Sequence, residues 1–303
     1  MTKIRSTDGS SMDDQRGQGG GGGGFSLPGL GGGGGIPGLP GGLKIGGGLM
    51  GVVILLASLL LPKLIGAGSA TSQAVSVPGA SSGSSTGACS TDLEQIVCGA
   101  TNDVQAYWTN ALPKFYGVKY QMTKTRLFDQ PMASGCGTAS PETGPFYCPI
   151  DNLVYIDLGF MQQIETQFVG GTSDLAEQYI LAHEYGHHVQ NLLGINAQVQ
   201  QASQSDPSRA NQYSVALELQ ADCFAGVWVG DANSRGLLDS PTEIQEAVKA
   251  AEGVGDDRIQ MKTQGRINPE TWTHGSAQQR STWFMTGYNS QDPRQCDTFK
   301  EVG

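Results

Sequence analysis

Two short patterns, 31 residues apart, limit what this chain can fold into more than any other feature. The first is His183-Glu184-Tyr185-Gly186-His187, and the second is Glu218-Leu219-Gln220-Ala221-Asp222. Each sets polar groups four residues apart, a little more than one helical turn, so in a helix each pair stands on one face. Two imidazoles so placed can share one metal ion at roughly 2.0–2.1 Å each. Glu184 lies about 100° around the same helix, beside such a metal but not bound to it. A fold that uses both patterns must set two helices face to face and leave one coordination position to solvent.

Local signals support both helices. Asp174 with Glu177 reads as an N-cap followed by an acid at N3, no proline interrupts residues 175–193, and Gly194 is a stop signal. Gly186 inside this helix costs about 1 kcal/mol relative to alanine, and its missing side chain lets another element pack close. The second helix is expected from about Arg209 to Val229, ended by Gly230. It is rich in apolar residues (Val215, Leu217, Leu219, Phe224, Val227, Trp228), so unpaired acids there would be costly. We assign His183, His187 and Glu218 as metal ligands and Glu184 as the catalytic carboxylate. Asp222 is assigned to accept a hydrogen bond from the outer N–H of a ligand histidine. Two histidines and one glutamate favour Zn2+, although cobalt or manganese could use the same donors. Zinc makes hydroxide available near neutral pH by lowering the pKa of its water to about 7.

The other histidines are less specific. His188 points about 100° away from His187 and reads as a packed or hydrogen-bonded ring. His274 precedes a helix capped by Ser276 and Gln279 that is expected to run to about Gly287. Its own surroundings suit a buried structural ring as well as a hydrogen-bond donor to a developing oxyanion. Asp256 and Asp257 suit orienting it or forming a loop salt bridge.

Several stretches together resemble the signature of a bacterial family of neutral zinc metallopeptidases. They are residues 182–190, 218–226, Gly255-Asp256-Asp257-Arg258, and His274-Gly275-Ser276 with Gln279, Arg280, Trp283 and Phe284. Residues 144–149 and Val154-Tyr155-Ile156-Asp157 match as well. The resemblance covers about Ala88 to Phe299 and extends to an N-terminal anchor ahead of the domain. It implies a gluzincin-like fold in which His183, His187 and Glu218 hold zinc and Glu184 is catalytic, and it favours the functional role for His274. In such folds a strand ahead of the zinc helix lines the cleft. Val154-Tyr155-Ile156 is the candidate, open to a peptide by strand addition.

Composition divides the chain. Residues 1–44 are glycine-rich and are expected to form a disordered cytoplasmic tail, since they cannot bury enough surface to offset their ordering entropy. Residues 45–62 carry no charge and approach the roughly 17–25 residues that cross a bilayer, so they are expected to be a transmembrane signal anchor in contact with lipid. Lys3, Arg5, Arg16 and Lys44 precede this segment, and after Lys63 no Lys or Arg appears until Lys114. That asymmetry puts the N-terminus in the cytoplasm and the domain in the periplasm or at the cell exterior. Residues 63–88 read as a flexible linker and residues 89–303 as one domain.

All six cysteines lie beyond the anchor, as expected of disulfides in an exported domain. We expect Cys89–Cys98, Cys136–Cys148 and Cys223–Cys296. The net charge of −10 disfavours nucleic acid as a partner.

Helices are expected from Asp92 to about Asn110 and from Ser240 to about Glu252. A strand is expected at 118–127, and a hairpin joins Phe146-Tyr147-Cys148 to residues 153–158. The fold class is α+β: a mostly helical, zincin-like domain with a small antiparallel sheet, preceded by the tail and one transmembrane helix. The expected function is a membrane-anchored zinc metallopeptidase acting on a peptide or protein, with Glu184 as general base. The alternatives are a zinc-dependent binding or scaffolding module with little turnover, and a zinc amidase acting on cell-wall bonds.

Overall fold

The computed structural model describes residues 2–17, 87–164, 166 and 173–302. The strands are β1 (Met12–Asp14), β2 (Lys124–Phe128), β3 (Met132–Ser134), β4 (Gly137–Ala139), β5 (Phe146–Cys148) and β6 (Leu153–Asp157). The helices are α1 (Asp92–Tyr116), α2 (Leu158–Ile164), α3 (Asp174–Leu192), α4 (Ile195–Ser205), α5 (Ala210–Ser234), α6 (Pro241–Gly253), α7 (Asp256–Gln264) and α8 (Ala277–Ser290). The described residues are mostly helical with a small sheet, as the sequence led us to expect.

The sheet itself departs from expectation. Its order is β1-β2-β6-β5, with β3 and β4 forming a separate two-stranded ribbon. The β5–β6 hairpin is antiparallel, with Tyr147 opposite Val154. The pairs β1–β2 and β2–β6 are parallel, so the sheet is mixed rather than antiparallel. Parallel neighbours need long crossovers, and the chain supplies them: α1 lies between β1 and β2, and β3 to β5 lie between β2 and β6. Strand β6, the expected lining of the cleft, is flanked by β2 and β5, and among the described residues the outer strands are β1 and β5.

The N-terminal residues are also corrected. Residues 2–17 are not a loose tail but part of the domain. Met12 is 1% exposed and Ile4 is buried in the same core as α1, α3 and α5. The Lys3 N–H donates to Leu237 O at 2.9 Å and the Ser6 N–H to Gln95 O at 3.0 Å. Arg5 pairs with Asp174 in the first turn of α3 at 2.9 Å, and Arg16 pairs with Glu94 of α1 at 2.5 Å. The glycine-rich average of residues 1–44 hid this short segment, which has its own apolar residues and charged partners.

That docking bears on the membrane-spanning helix expected at residues 45–62, which lie outside the described residues. Among the described residues no helix is long and apolar enough to cross a membrane. β1 and β2 pair within one sheet, and a single crossing between residues 17 and 87 would put them on opposite faces of a bilayer. The expected transmembrane helix has no counterpart among the described residues, and the expected loose N-terminal tail is corrected at residues 2–17 to a docked segment.

Glycine explains two helix ends that lie beyond their expected stops. α5 runs through Gly230 to Ser234, and α8 runs through Gly287 to Ser290. A Cβ on Gly287 would stand 1.9 Å from Cys223 O, and one on Gly226 would stand 2.0 Å from Phe284 O. These glycines do not end helices. They let the backbones of α5 and α8 touch, and Cys223–Cys296 fastens α5 to the segment after α8. Cys89–Cys98 and Cys136–Cys148 also form as expected. α1 runs past Asn110 to Tyr116, and Gly117, with a left-handed φ of 69°, closes it. α3 is capped by the Ser173 side chain, which accepts from the Ala176 N–H, so Asp174 is the first helical residue rather than the cap.

The core lies between α1, α3, α5 and the sheet. Trp108 and Leu112 of α1, Tyr179 and Leu181 of α3, and Phe224 and Trp228 of α5 are all buried, and Trp108 meets Phe224 edge-on at 5.3 Å. Burying each large apolar side chain contributes about 1.5–3 kcal/mol. This packing fixes α3 against α5, the two helices that carry the paired patterns.

Candidate metal centre

Gly186 sets the distance between the two pattern-bearing helices. A Cβ there would stand 3.0 Å from Ala221 O, so the bare glycine lets α3 approach α5. His183 and His187, one turn apart, then face Glu218. His183 Nε2 is 3.2 Å from one Glu218 oxygen and His187 Nε2 is 3.5 Å from the other. One ligand atom from each of the three residues lies within 4.8 Å of the others. The two rings meet edge-on, with centroids 4.8 Å apart. The three expected ligands therefore converge from two helices.

Behind them lies a second layer of polar side chains. Asp222 is completely buried, and its Oδ1 is 2.8 Å from His183 Nδ1, the role expected of it. The same oxygen accepts from the Tyr179 hydroxyl at 2.5 Å, while Arg280 donates to both Asp222 oxygens, at 2.8 and 2.9 Å. His187 Nδ1 is 2.8 Å from Gln190 Oε1, and Gln190 in turn donates to Leu217 O on α5. Tyr179, Gln190 and Arg280 had no assigned role in the sequence reading. Two of them had a signal: Tyr179 is four residues before His183 and Gln190 is three after His187, both on the ligand stripe of α3.

The electrostatics favour positive charge at this point. Burial opposes a charged His183, yet Asp222 and Glu218 outweigh it and raise its pKa to about 10. Burial likewise opposes charge on His187, and Glu218 raises its pKa all the same. Burial works against the Glu218 carboxylate too, but His187 and His183 hold its pKa well below the usual range. Two imidazole nitrogens and one carboxylate oxygen, each ligand histidine steadied through its other nitrogen, suit a divalent cation and zinc in particular.

Glu184 is 7% exposed and does not join the three-residue cluster. Burial raises its pKa, and the backbone of Tyr147 on β5 acts in the opposite direction. His188 is packed, as expected: Nδ1 is 3.0 Å from the Tyr147 hydroxyl and Nε2 is 2.7 Å from Gln121 O. His274 is buried on the loop before α8, and its Nδ1 is 3.3 Å from Asp256 Oδ1. The other Asp256 oxygen accepts the backbone N–H groups of Thr273, His274 and Gly275, so Asp256 holds the whole loop. Positive charge at His274 would favour the Glu218 carboxylate. Asp257 caps α8 instead, accepting from the Ala277 N–H.

Two histidines and a glutamate on two facing helices, with a carboxylate behind one imidazole, make up the donor set that zinc hydrolases use. The chain belongs to the family described as "Putative neutral zinc metallopeptidase", whose model matches residues 1–299. Among its relatives, an uncharacterized protein of Mycobacterium tuberculosis is 50% identical over 207 residues, covering 65% of this chain and 68% of the relative. The uncharacterized protein YpfJ of Escherichia coli K12 is 43% identical over 205 residues, covering 67% of this chain and 69% of that protein. No solved structure matches the chain.

Proposed function

We propose that this protein is a zinc-dependent peptidase with His183, His187 and Glu218 as zinc ligands and Glu184 as general base. The observation that carries the reading is the convergence of those three ligands, with Glu184 beside them and outside the cluster. When bound, zinc supplies a Lewis acid that makes water nucleophilic at neutral pH and polarises the scissile carbonyl. Glu184 takes the proton from the attacking water and delivers a proton to the leaving amine. Its burial, which favours the neutral acid, suits it to hold that proton between the two steps.

His274, oriented by Asp256, donates to the oxyanion that forms as water adds to the carbonyl. The substrate is a peptide or protein that pairs along β5, whose outer edge has no strand partner among the described residues. Three disulfides support an oxidising, extracytoplasmic location for the domain.

The test is metal analysis of the purified protein together with a peptidase assay with and without chelator. One zinc per chain and chelator-sensitive cleavage are expected. Zinc without turnover on a broad peptide library would point to a binding module, and turnover confined to peptidoglycan fragments would point to an amidase.

A further inference from the structure

We propose that Arg280 is a positioning residue for the zinc ligand His183, acting through Asp222. The proposal rests on the zinc-site reading above.

Asp222 is sealed in the core with four contacts. Arg280 Nε donates to Oδ2, and Arg280 Nη2, the Tyr179 hydroxyl and His183 Nδ1 all meet Oδ1. A guanidinium only donates and does not give up its proton in a protein. Its two-pronged grip fixes the plane of the Asp222 carboxylate and makes both oxygens acceptors. Arg280 Nη2 also reaches the Tyr179 oxygen at 3.3 Å, which turns the phenol proton toward Asp222. His183 Nδ1 is then left as a donor to Oδ1, and the lone pair of Nε2 points toward Glu218. The direct Arg280–His183 contact is long, at 3.5 Å, so the influence runs through the carboxylate.

Arg280 itself is held in place. It is 4% exposed, and its Nη1 donates to Val254 O at 3.2 Å. It rides on α8, whose backbone contacts α5 at Gly226 and Gly287. A buried ion pair is a poor stability device, because an apolar pair of similar volume often does as well. Here its geometry has a use: it sets how one ligand faces the metal from 97 positions away in sequence.

The test uses the full chain and compares Arg280→Met and Arg280→Lys with wild type under conditions where circular dichroism shows all of them folded. Zinc affinity is read by chelator competition and donor geometry by the visible spectrum after cobalt substitution. We expect a loss of zinc affinity of about 10–100-fold for Met, with an altered cobalt spectrum. Lys keeps the charge but not the fork, so its loss should be smaller. Folded variants that bind zinc within twofold of wild type, with unchanged spectra, would overturn the proposal.

If neither variant folds, wild-type protein loaded with zinc still decides by nuclear magnetic resonance. A His183 Nδ1 proton that is protected from solvent exchange supports the clamp, and one that exchanges freely overturns it. A wild type that takes up no zinc would sink the metal-site reading, whereas a zinc-binding wild type with equally competent variants sinks only the role of Arg280.

Discussion

The backbone of Tyr147, on the outer strand β5, favours the charged form of the Glu184 carboxylate on α3, against the burial that opposes it. The strand proposed to receive substrate thus lies beside the group proposed to move the proton. Glu184→Gln should keep the fold and the zinc and reduce kcat by at least about 10²–10⁴-fold. Peptidase activity close to wild type in a zinc-loaded variant would remove Glu184 from the mechanism.

His274 depends on Asp256, which binds both its ring and the backbone of its loop. His274→Asn should lower kcat by about 10²-fold with little change in zinc content, as expected for the loss of one oxyanion donor. Zinc content and steady-state kinetics measured on the same preparation check this. A change confined to KM would assign the ring to binding instead.

Close helix contact makes Gly287 intolerant of any side chain. An added Cβ would meet Cys223 O at 1.9 Å, a backbone atom that cannot swing aside. Gly287→Ala should cost about 3 kcal/mol or more, or prevent folding. Gly194→Ala, where no atom lies within 4 Å of the added Cβ, isolates the backbone penalty of a left-handed glycine and should cost less. Urea unfolding of the two variants gives the comparison.

Acid should loosen the N-terminal segment. Burial alone would raise the Glu94 carboxyl, but Ser90, Thr91 and Arg16 hold its pKa at about 2 against an ordinary 4.5. A depressed carboxyl contributes stability that is fully present above its unfolded value and is lost as pH falls through the folded one. Wild type should therefore exceed Glu94→Gln in stability at pH 7. The gap should shrink as pH falls from 4.5 toward 2, and a gap that does not depend on pH would contradict it.

Because β1 pairs with β2, both ends of residues 18–86 belong to one folded body. Ser10→Cys and Lys249→Cys, at two exposed positions, should react alike with a membrane-impermeant maleimide in intact cells. One labelled and one protected would mean that the docked N-terminal strand does not form in the cell.

The candidate site was legible in the sequence because its residues follow helical spacing. Four residues separate His183 from His187, and four separate Glu218 from Asp222, so local geometry alone puts each pair on one face. Arg280 was not legible as a partner of Asp222, since 58 positions separate them and only the α5–α8 packing brings them together. The sheet order was hidden for the same reason. Periodicity marks strands but does not say which are neighbours, and β1 lay inside a stretch whose average composition argued against any structure. The glycines misled in the opposite direction. Gly230 and Gly287 read as stops, but a helix tolerates glycine where a second backbone needs the space.

Strand β1 is synthesised long before its neighbour β2. Asp13 and Arg126, which pair across β1 and β2, are 113 positions apart, and among the described residues β2 is the strand that β1 pairs with. Bringing such distant segments together must overcome chain-closure entropy before any contact rewards it, and folds built on non-local pairing assemble slowly. Maturation of this protein is thus expected to finish after translation, with helix α3 docking against its N-terminal clamp, Arg5 and Thr2 on Asp174, only late in the process.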